Sequence, residues 1–168
     1  MPLLSDIAQR RKTAHFLSSL PKDAYILEVG CGSGWVGKYF REGGWKNYLG
    51  MDIVPPADIV CNVKQWRHHG LKPESMDAIV AFEVIEHVDM VQEAYDLLKP
   101  GGLLLLTSPV PEMDWVMKIL ETVGLNQKRT SPHSNLVNFR KLPLFEAVDN
   151  RRVGGLSQWG TLRKPKSN

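Results

Sequence analysis

The spacing of apolar and polar residues divides the chain into alternating strand and helix segments. Short apolar runs bounded by glycine, proline or polar residues predict buried strands, and the amphipathic stretches between them predict helices. The predicted strands are residues 25–29, 47–51, 58–61, 76–82 and 103–107, and the predicted helices are residues 5–20, 35–42, 90–98 and 114–122. This alternation is typical of a three-layer α/β fold around a mostly parallel sheet.

The two ends of the chain follow different patterns. Ser5 is a suitable N-cap for a first helix that would bury Ile7, Ala14 and Leu17 and end at Pro21. Near the other end, the pair Gly154-Gly155 separates two strand-like stretches, residues 145–153 and 156–162, and predicts an antiparallel hairpin. We therefore predict seven strands, of which the last is antiparallel.

Length and composition favour a single globular domain. The chain has 168 residues, of which 43% are hydrophobic and 23% are charged. Within residues 1–168 we expect an N-terminal helix in 1–22, a core in 23–112, and an acceptor-side helix, loop and hairpin in 113–168. Only two cysteines occur, Cys31 and Cys61, so neither a disulfide framework nor a zinc cage is expected. Without an apolar leader or membrane span, we expect a cytoplasmic protein.

The net charge of +3 is unevenly distributed along the chain. Residues 1–22 carry a net +3, residues 23–112 a net −6 and residues 113–168 a net +6. The basic ends either form an ordinary solvated surface or attract an anionic partner such as phosphate, lipid head groups or RNA.

A glycine-rich turn follows the first predicted strand, in Glu28-Val-Gly30-Cys-Gly32-Ser-Gly34. Glycines allow a tight backbone there, at the edge of the sheet where doubly wound folds bind ligands. A dinucleotide-binding turn would place its third glycine at position 35, which is Trp35, and the chain has no phosphate-binding P-loop. NAD and ATP are therefore disfavoured as ligands.

The turn and four later segments resemble the motifs of class I S-adenosylmethionine-dependent methyltransferases. ILEVGCGSG is similar to the first motif, GMD ends in the acidic residue expected after the second strand, and Asn62 stands where the family often has aspartate. MDAIVAFEVIEHV and LKPGGLLLLTSP are similar to the fourth- and fifth-strand motifs. Five ordered matches across residues 24–110 imply the Rossmann-like fold of this family.

The resemblance also implies a cofactor, S-adenosyl-L-methionine, and a set of residues around it. Asp52 would bind the ribose hydroxyls, Ile53 would pack on the adenine, and Asn62 would accept from the adenine amino group. Backbone groups of the turn and of Phe82 would face the methionine part, while Glu28 would bind its ammonium group or anchor the loop. The complete implied set is Glu28, Gly30, Gly32, Gly34, Asp52, Ile53, Asn62, Val63 and Phe82.

No motif identifies a catalytic residue, because methyl transfer from a sulfonium depends mainly on alignment. A base is needed only for a protonated acceptor. Glu86 and His87 lie within the segment Glu83-Val-Ile-Glu86-His87. They could belong to a structural turn, form an acid/base pair or be metal ligands. Similar E-x-x-E-H segments bind a divalent metal in some O-methyltransferases of the family that the sequence resembles. His133 is a further candidate or a surface loop residue. We expect His15, His68 and His69 at the surface.

The favoured function is O-methylation of an anionic or carrier-bound acceptor, with N-methylation second. The fourth-strand motif lacks the Asn/Asp-Pro-Pro-aromatic segment of methyltransferases that modify exocyclic base amines. Few residues follow the fifth strand, so a partner subunit or a second copy could close the acceptor site, and Arg151 and Arg152 are candidates for binding an anionic acceptor. The alternatives are a non-catalytic methyltransferase-like subunit that binds a partner and an NAD-dependent oxidoreductase.

Overall fold

Seven strands form one twisted sheet with helices on both faces in a computed structural model that describes residues 2–110, 138–155 and 157–166, with side chains from residue 6 onward. The strands are β1 (Ile26–Val29), β2 (Tyr48–Asp52), β3 (Ile59–Val60), β4 (Met76–Phe82), β5 (Leu98–Pro109), β6 (Glu146–Val153) and β7 (Ser157–Arg163). The α-helices are α1 (Pro2–Lys12), α2 (Trp35–Glu42) and α3 (Val91–Leu97).

The strand order is β3-β2-β1-β4-β5-β7-β6, and β7 is antiparallel to both of its neighbours. Because the chain leaves β1 for β2 on one side and crosses to β4 on the other, the carboxyl ends of β1 and β4 form the edge where such sheets bind ligands. The predicted fold class is confirmed, including the antiparallel last strand.

Two apolar clusters hold the layers together, one on each face of the sheet. On one face α3 and Trp66, from a 3₁₀ helix at Val63–His69, pack on the strands. On the other face α2 and the segment after α1 pack through Phe40, Phe16 and Leu17. The branched aliphatic residues of β4 are buried on both sides, as parallel strands require.

The N-terminal helix differs from its prediction. It begins at Pro2 rather than after Ser5, and it continues into a π-helical turn at Thr13–Leu17. The wider turn shifts the side chains that follow it. Phe16 and Leu17 are therefore buried, whereas Ile7 is 46% exposed and Ala14 also faces solvent.

The segment Lys99-Pro-Gly-Gly102, for which the pattern favours a turn, lies inside β5. Met76 pairs with Leu98 and Ala78 with Leu103, so these four residues bulge out of the ladder opposite Asp77. The Gly101 N–H donates to the Lys164 carbonyl oxygen at 2.9 Å, which gives this bulged backbone amide a hydrogen-bond partner. A bonding partner from a distant segment thus keeps the strand continuous through a proline and two glycines.

The predicted helix 114–122 and the residue His133 lie outside the described residues. No helix in the described part of the chain is both long and apolar enough to cross a membrane.

Candidate cofactor and acceptor site

The glycine turn connects β1 to α2 with three residues in the left-handed region: φ is +74° at Gly30, +41° at Gly32 and +73° at Gly34. A Cβ atom at Gly30 would lie 2.4 Å from Cγ2 of Val84, so the turn is pressed against the loop that follows β4. A Cβ atom at Gly34 would meet nothing within 4 Å. The turn therefore has the Val84 side chain against Gly30 and open space beside Gly34, which leaves room for a ligand on that side.

Asp52 is fixed at the end of β2 by two backbone groups. The Gly32 N–H donates to Oδ2 at 2.9 Å, and the Val54 N–H donates to Oδ1 at 3.3 Å. Carboxylate oxygens can accept further bonds. The bond to Gly32 orients this carboxylate at the glycine turn, where it is able to accept two hydroxyl groups of a ribose.

Next to Asp52, the chain exposes two large apolar side chains. Ile53 is 69% exposed and Val54 is 56% exposed. Asn62 caps the 3₁₀ helix by accepting the Lys64 N–H at 3.0 Å, and its amide oxygen retains a second lone pair. Val63 is buried in the core, so its side chain does not face this surface. The apolar surface of Ile53 and Val54 and the amide of Asn62 fit an adenine ring.

Glu28 is buried beneath the turn and accepts a hydrogen bond from the Tyr48 hydroxyl at Oε2. Burial raises the pKa of Glu28 to about 8, and the bond from Tyr48 offsets part of that effect. Burial also raises the pKa of the Cys31 thiol, and the negative charges of Glu28 and Asp52 add to it. Cys31 is therefore a small packing residue in the turn rather than a thiolate nucleophile.

Phe82 ends β4 and stacks on Trp35, the first residue of α2, with ring centroids 6.0 Å apart and planes at 12°. Glu83 follows with a φ of +59°, which is rare for a residue other than glycine. Its Oε1 accepts hydrogen bonds from Lys12 at 3.1 Å and Thr107 at 2.7 Å. Sequence patterns did not identify this Lys12–Glu83–Thr107 cluster, since 71 residues separate Lys12 from Glu83.

The two described catalytic candidates have different environments. Glu86 is 1% exposed, and burial together with the charge of Glu83 raises its pKa to about 7. Its Oε2 has no hydrogen-bond partner in the described part of the chain. His87 is exposed. Within the described ranges, no group of three or more histidine, cysteine, aspartate or glutamate residues is arranged to hold a metal ion.

His15 is partly buried rather than at the surface, with its side chain 17% exposed. Its ring packs against Phe16 and Trp159, and its Nε2 is 3.3 Å from Oδ2 of Asp149. Burial and the charge of Arg151 lower the pKa of His15, with Asp149 acting in the opposite direction. His68 and His69 are exposed, as predicted.

Comparison with known proteins gives matches across most of the chain. Residues 6–143 match the model of a methyltransferase domain family. The mitochondrial ubiquinone biosynthesis O-methyltransferase of Rattus norvegicus is 26% identical over 172 residues, which cover 84% of this chain and 48% of the rat protein. The tRNA (carboxymethyluridine(34)-5-O)-methyltransferase of Arabidopsis thaliana is 30% identical over 131 residues, covering 70% of this chain and 32% of that protein. The chain thus spans half or less of these curated relatives.

Two solved structures share the fold at low sequence identity. A Haloferax volcanii putative methyltransferase in complex with the Trm112 methyltransferase activator superimposes with a TM-score of 0.67 at 13% identity, covering 95% of this chain and 89% of that one. The 1,6-didemethyltoxoflavin-N1-methyltransferase of Burkholderia thailandensis gives 0.63 at 17% identity, covering 95% and 79%. The family-model match and the curated relatives overturn the oxidoreductase alternative and agree with the cofactor predicted from the motifs. The chain therefore belongs to the S-adenosylmethionine-dependent class I methyltransferase family.

Proposed function

We propose that the chain transfers a methyl group from S-adenosylmethionine to an oxygen atom of an anionic or carrier-bound acceptor. The observation that carries this proposal is the carboxylate of Asp52, held against the glycine turn by the Gly32 N–H beside the exposed Ile53. This arrangement suits a nucleoside whose sugar hydroxyls bind Asp52 and whose base covers Ile53. The cofactor supplies a methyl group already activated by a positively charged sulfur.

The protein's own contribution is to orient the acceptor and, for a hydroxyl acceptor, to take up its proton. Glu86 is the described candidate for the base, since burial raises its pKa to about 7, which matches that required of a base at neutral pH. The O-methyltransferases among the relatives support oxygen as the acceptor atom. Substitution Glu86→Gln should then lower the methylation rate of a hydroxyl acceptor by about 10²-fold or more.

An anionic acceptor is supported by the basic residues at the ends of α1 and β6. Arg10, Arg11 and Lys12 end α1, and Arg151 and Arg152 lie on β6. Arg151 donates to Oδ2 of Asp149 at 2.6 Å, so part of its charge is already neutralised. Replacing Arg151 and Arg152 together should weaken acceptor binding and reduce its dependence on salt. Unchanged binding and salt dependence would exclude these two residues.

A non-catalytic subunit is the second candidate function. It is supported by the similarity to a putative methyltransferase that forms a complex with a methyltransferase activator. Incubation with methyl-labelled cofactor and separate pools of small molecules, RNA and protein distinguishes the two. An enzyme transfers label to one pool and releases S-adenosylhomocysteine, whereas a scaffold binds the cofactor and transfers none, even with a partner present.

A further inference from the structure

Lys12, the last residue of α1, reaches across to the ends of two strands. Its Nζ lies 3.1 Å from Oε1 of Glu83 after β4 and 3.0 Å from Oγ1 of Thr107 on β5. The same ammonium lies 5.1 Å from the centre of the Phe82 ring. The side chain of Lys12 is 15% exposed and that of Glu83 is 44% exposed, so the ammonium end of this ion pair is shielded from water and the carboxylate end is partly open to it.

These contacts place the end of α1 beside the glycine turn. Phe82, beneath the Lys12 ammonium, stacks on Trp35, which immediately follows the turn. Val84, next to Glu83, occupies the space that a Cβ atom of Gly30 would need. Glu83 thus connects the end of α1 with the loop that forms one wall of the cofactor cradle. Its positive φ is the kind of backbone strain that accumulates at functional sites.

The rest of α1 is more exposed to solvent than its end. Phe16 and Leu17 of the π-helical turn are buried against the sheet and fix the chain there. Preceding them, Asp6, Ile7, Ala8, Arg10 and Arg11 are exposed. An open cleft of about 630 Å³ separates α1 from α2, and Gln9 and Trp35 are among its lining residues. Lys12 therefore attaches an exposed helix to the edge of the sheet that carries the site.

We propose that Lys12 and Glu83 form an ion-pair latch. The latch holds α1 beside the cofactor cradle at the glycine turn and limits the rate at which the cofactor enters and leaves. Both are positioning residues that act through α1. The inference rests on the proposed function, since it requires the cofactor to bind at the glycine turn. The latch joins two groups of the protein itself, so it constrains association and dissociation alike.

The test measures both rate constants for S-adenosylhomocysteine by surface plasmon resonance. Substitution Lys12→Met should raise the association and dissociation rate constants together by about five- to tenfold, because an ion pair with a hydrogen bond contributes about that factor. The ratio of the two constants should change less than about twofold. Glu83→Gln should act similarly, and the double variant should be no faster than either single variant. Lys12→Arg, which keeps the charge, should stay close to the wild-type rates.

Lys99→Met is the matched control, since Lys99 lies 2.7 Å from Asp77 at the opposite edge of the sheet. It should leave both rate constants unchanged. Wild-type rates in Lys12→Met would overturn the latch, and so would a change confined to dissociation, which would indicate direct contact with the ligand.

A second measurement separates failure of the latch from failure of the proposed function. Amide hydrogen exchange of residues 6–12 without ligand should accelerate in Lys12→Met relative to the wild type and to Lys99→Met. If the wild-type chain binds no S-adenosylhomocysteine, the proposed function fails and the kinetic role fails with it. If it binds, but exchange and binding rates are insensitive to Lys12, only the latch is wrong.

Discussion

The Tyr48 hydroxyl on β2 donates a hydrogen bond to Oε2 of Glu28 on β1, and both side chains are buried. The pairing joins two adjacent parallel strands beneath the glycine turn, where Glu28 is opposite Gly50 in the ladder. Because Gly50 has no side chain, the Tyr48 ring can lie across this position; a Cβ at Gly50 would be 3.0 Å from the Tyr48 hydroxyl oxygen. Burial of this carboxyl group raises its pKa, and the bond from Tyr48 offsets part of the rise.

The stability of the chain is expected to fall as the pH rises from 5 to 8. Burial raises the pKa of Glu28 from 4.5 to about 8. Between these values the folded chain binds more protons than the unfolded chain, so the free energy of unfolding decreases with pH and levels off above 8. The loss is on the order of 2–4 kcal/mol, since one pKa unit corresponds to about 1.4 kcal/mol. Urea unfolding at four pH values measures it.

Glu28→Gln serves as the control for this pH dependence. Glutamine keeps an oxygen that accepts from Tyr48 but cannot ionise in this range. The variant should lose the contribution of Glu28 to the slope; Glu86, whose pKa is raised to about 7, still lowers stability as the pH rises, and His15, whose pKa is lowered, acts in the opposite direction. A wild-type profile that is flat between pH 5 and 8 would contradict the assigned shift.

Binding of S-adenosylhomocysteine at pH 7 is expected to release most of one proton. An ammonium group beside Glu28 favours the carboxylate and lowers its pKa from the free value of about 8. Calorimetry in two buffers with different ionisation enthalpies measures the protons released. Glu28→Gln should bind without this release; if its buffer dependence equals that of the wild type, the proton comes from another group.

Asp52→Asn is expected to weaken binding of S-adenosylhomocysteine by about 10- to 100-fold, because hydrogen bonds to a charged acceptor contribute about 1.5–3 kcal/mol. The asparagine oxygen can still accept from the Gly32 N–H, so the turn should keep its conformation. Asp96→Asn is the matched control, since Asp96 pairs with Arg67 on the surface at 2.7 Å. Calorimetric titration of both variants distinguishes a ribose contact from a general loss of negative charge.

Gly30→Ala is expected to destabilise the chain by about 1–3 kcal/mol, because alanine at a φ of +74° is strained and its Cβ would overlap Val84. Gly44→Ala has a similar φ of +84° and open space around it. Thermal unfolding should therefore show a smaller loss for Gly44→Ala. Adding Val84→Ala should restore part of the stability of Gly30→Ala. Equal losses of stability in Gly30→Ala and Gly44→Ala would exclude the steric contribution of Val84.

Much of the fold can be predicted from local patterns. Met76–Phe82 and Trp35–Glu42 have the predicted bounds, because a continuous apolar strand and an amphipathic helix ended by two glycines are strong local signals. The hairpin around Gly154-Gly155 follows from its turn residues in the same way. The residues proposed for the cofactor came from motif order, and their assignment remains a prediction.

The remaining features depend on contacts between distant parts of the chain. The π-helical turn places Phe16 and Leu17 in a core that no local pattern reveals. Strand β5 continues through Lys99-Pro-Gly-Gly102 because the Gly101 N–H donates to the carbonyl oxygen of Lys164, 63 residues further along the chain. The Lys12–Glu83 pair has the same origin, since no local pattern connects two residues that are 71 positions apart.

The reversed direction of β7 also determines where a reporter group can be attached. Ser157 pairs with Pro109 at the edge that carries the glycine turn, while Arg163 pairs with Leu103 far from it. Lys166 is exposed beyond that remote end. A fluorophore attached there could follow unfolding without obstructing the ligand, whereas one attached to α1 would disturb the helix whose motion it was meant to report.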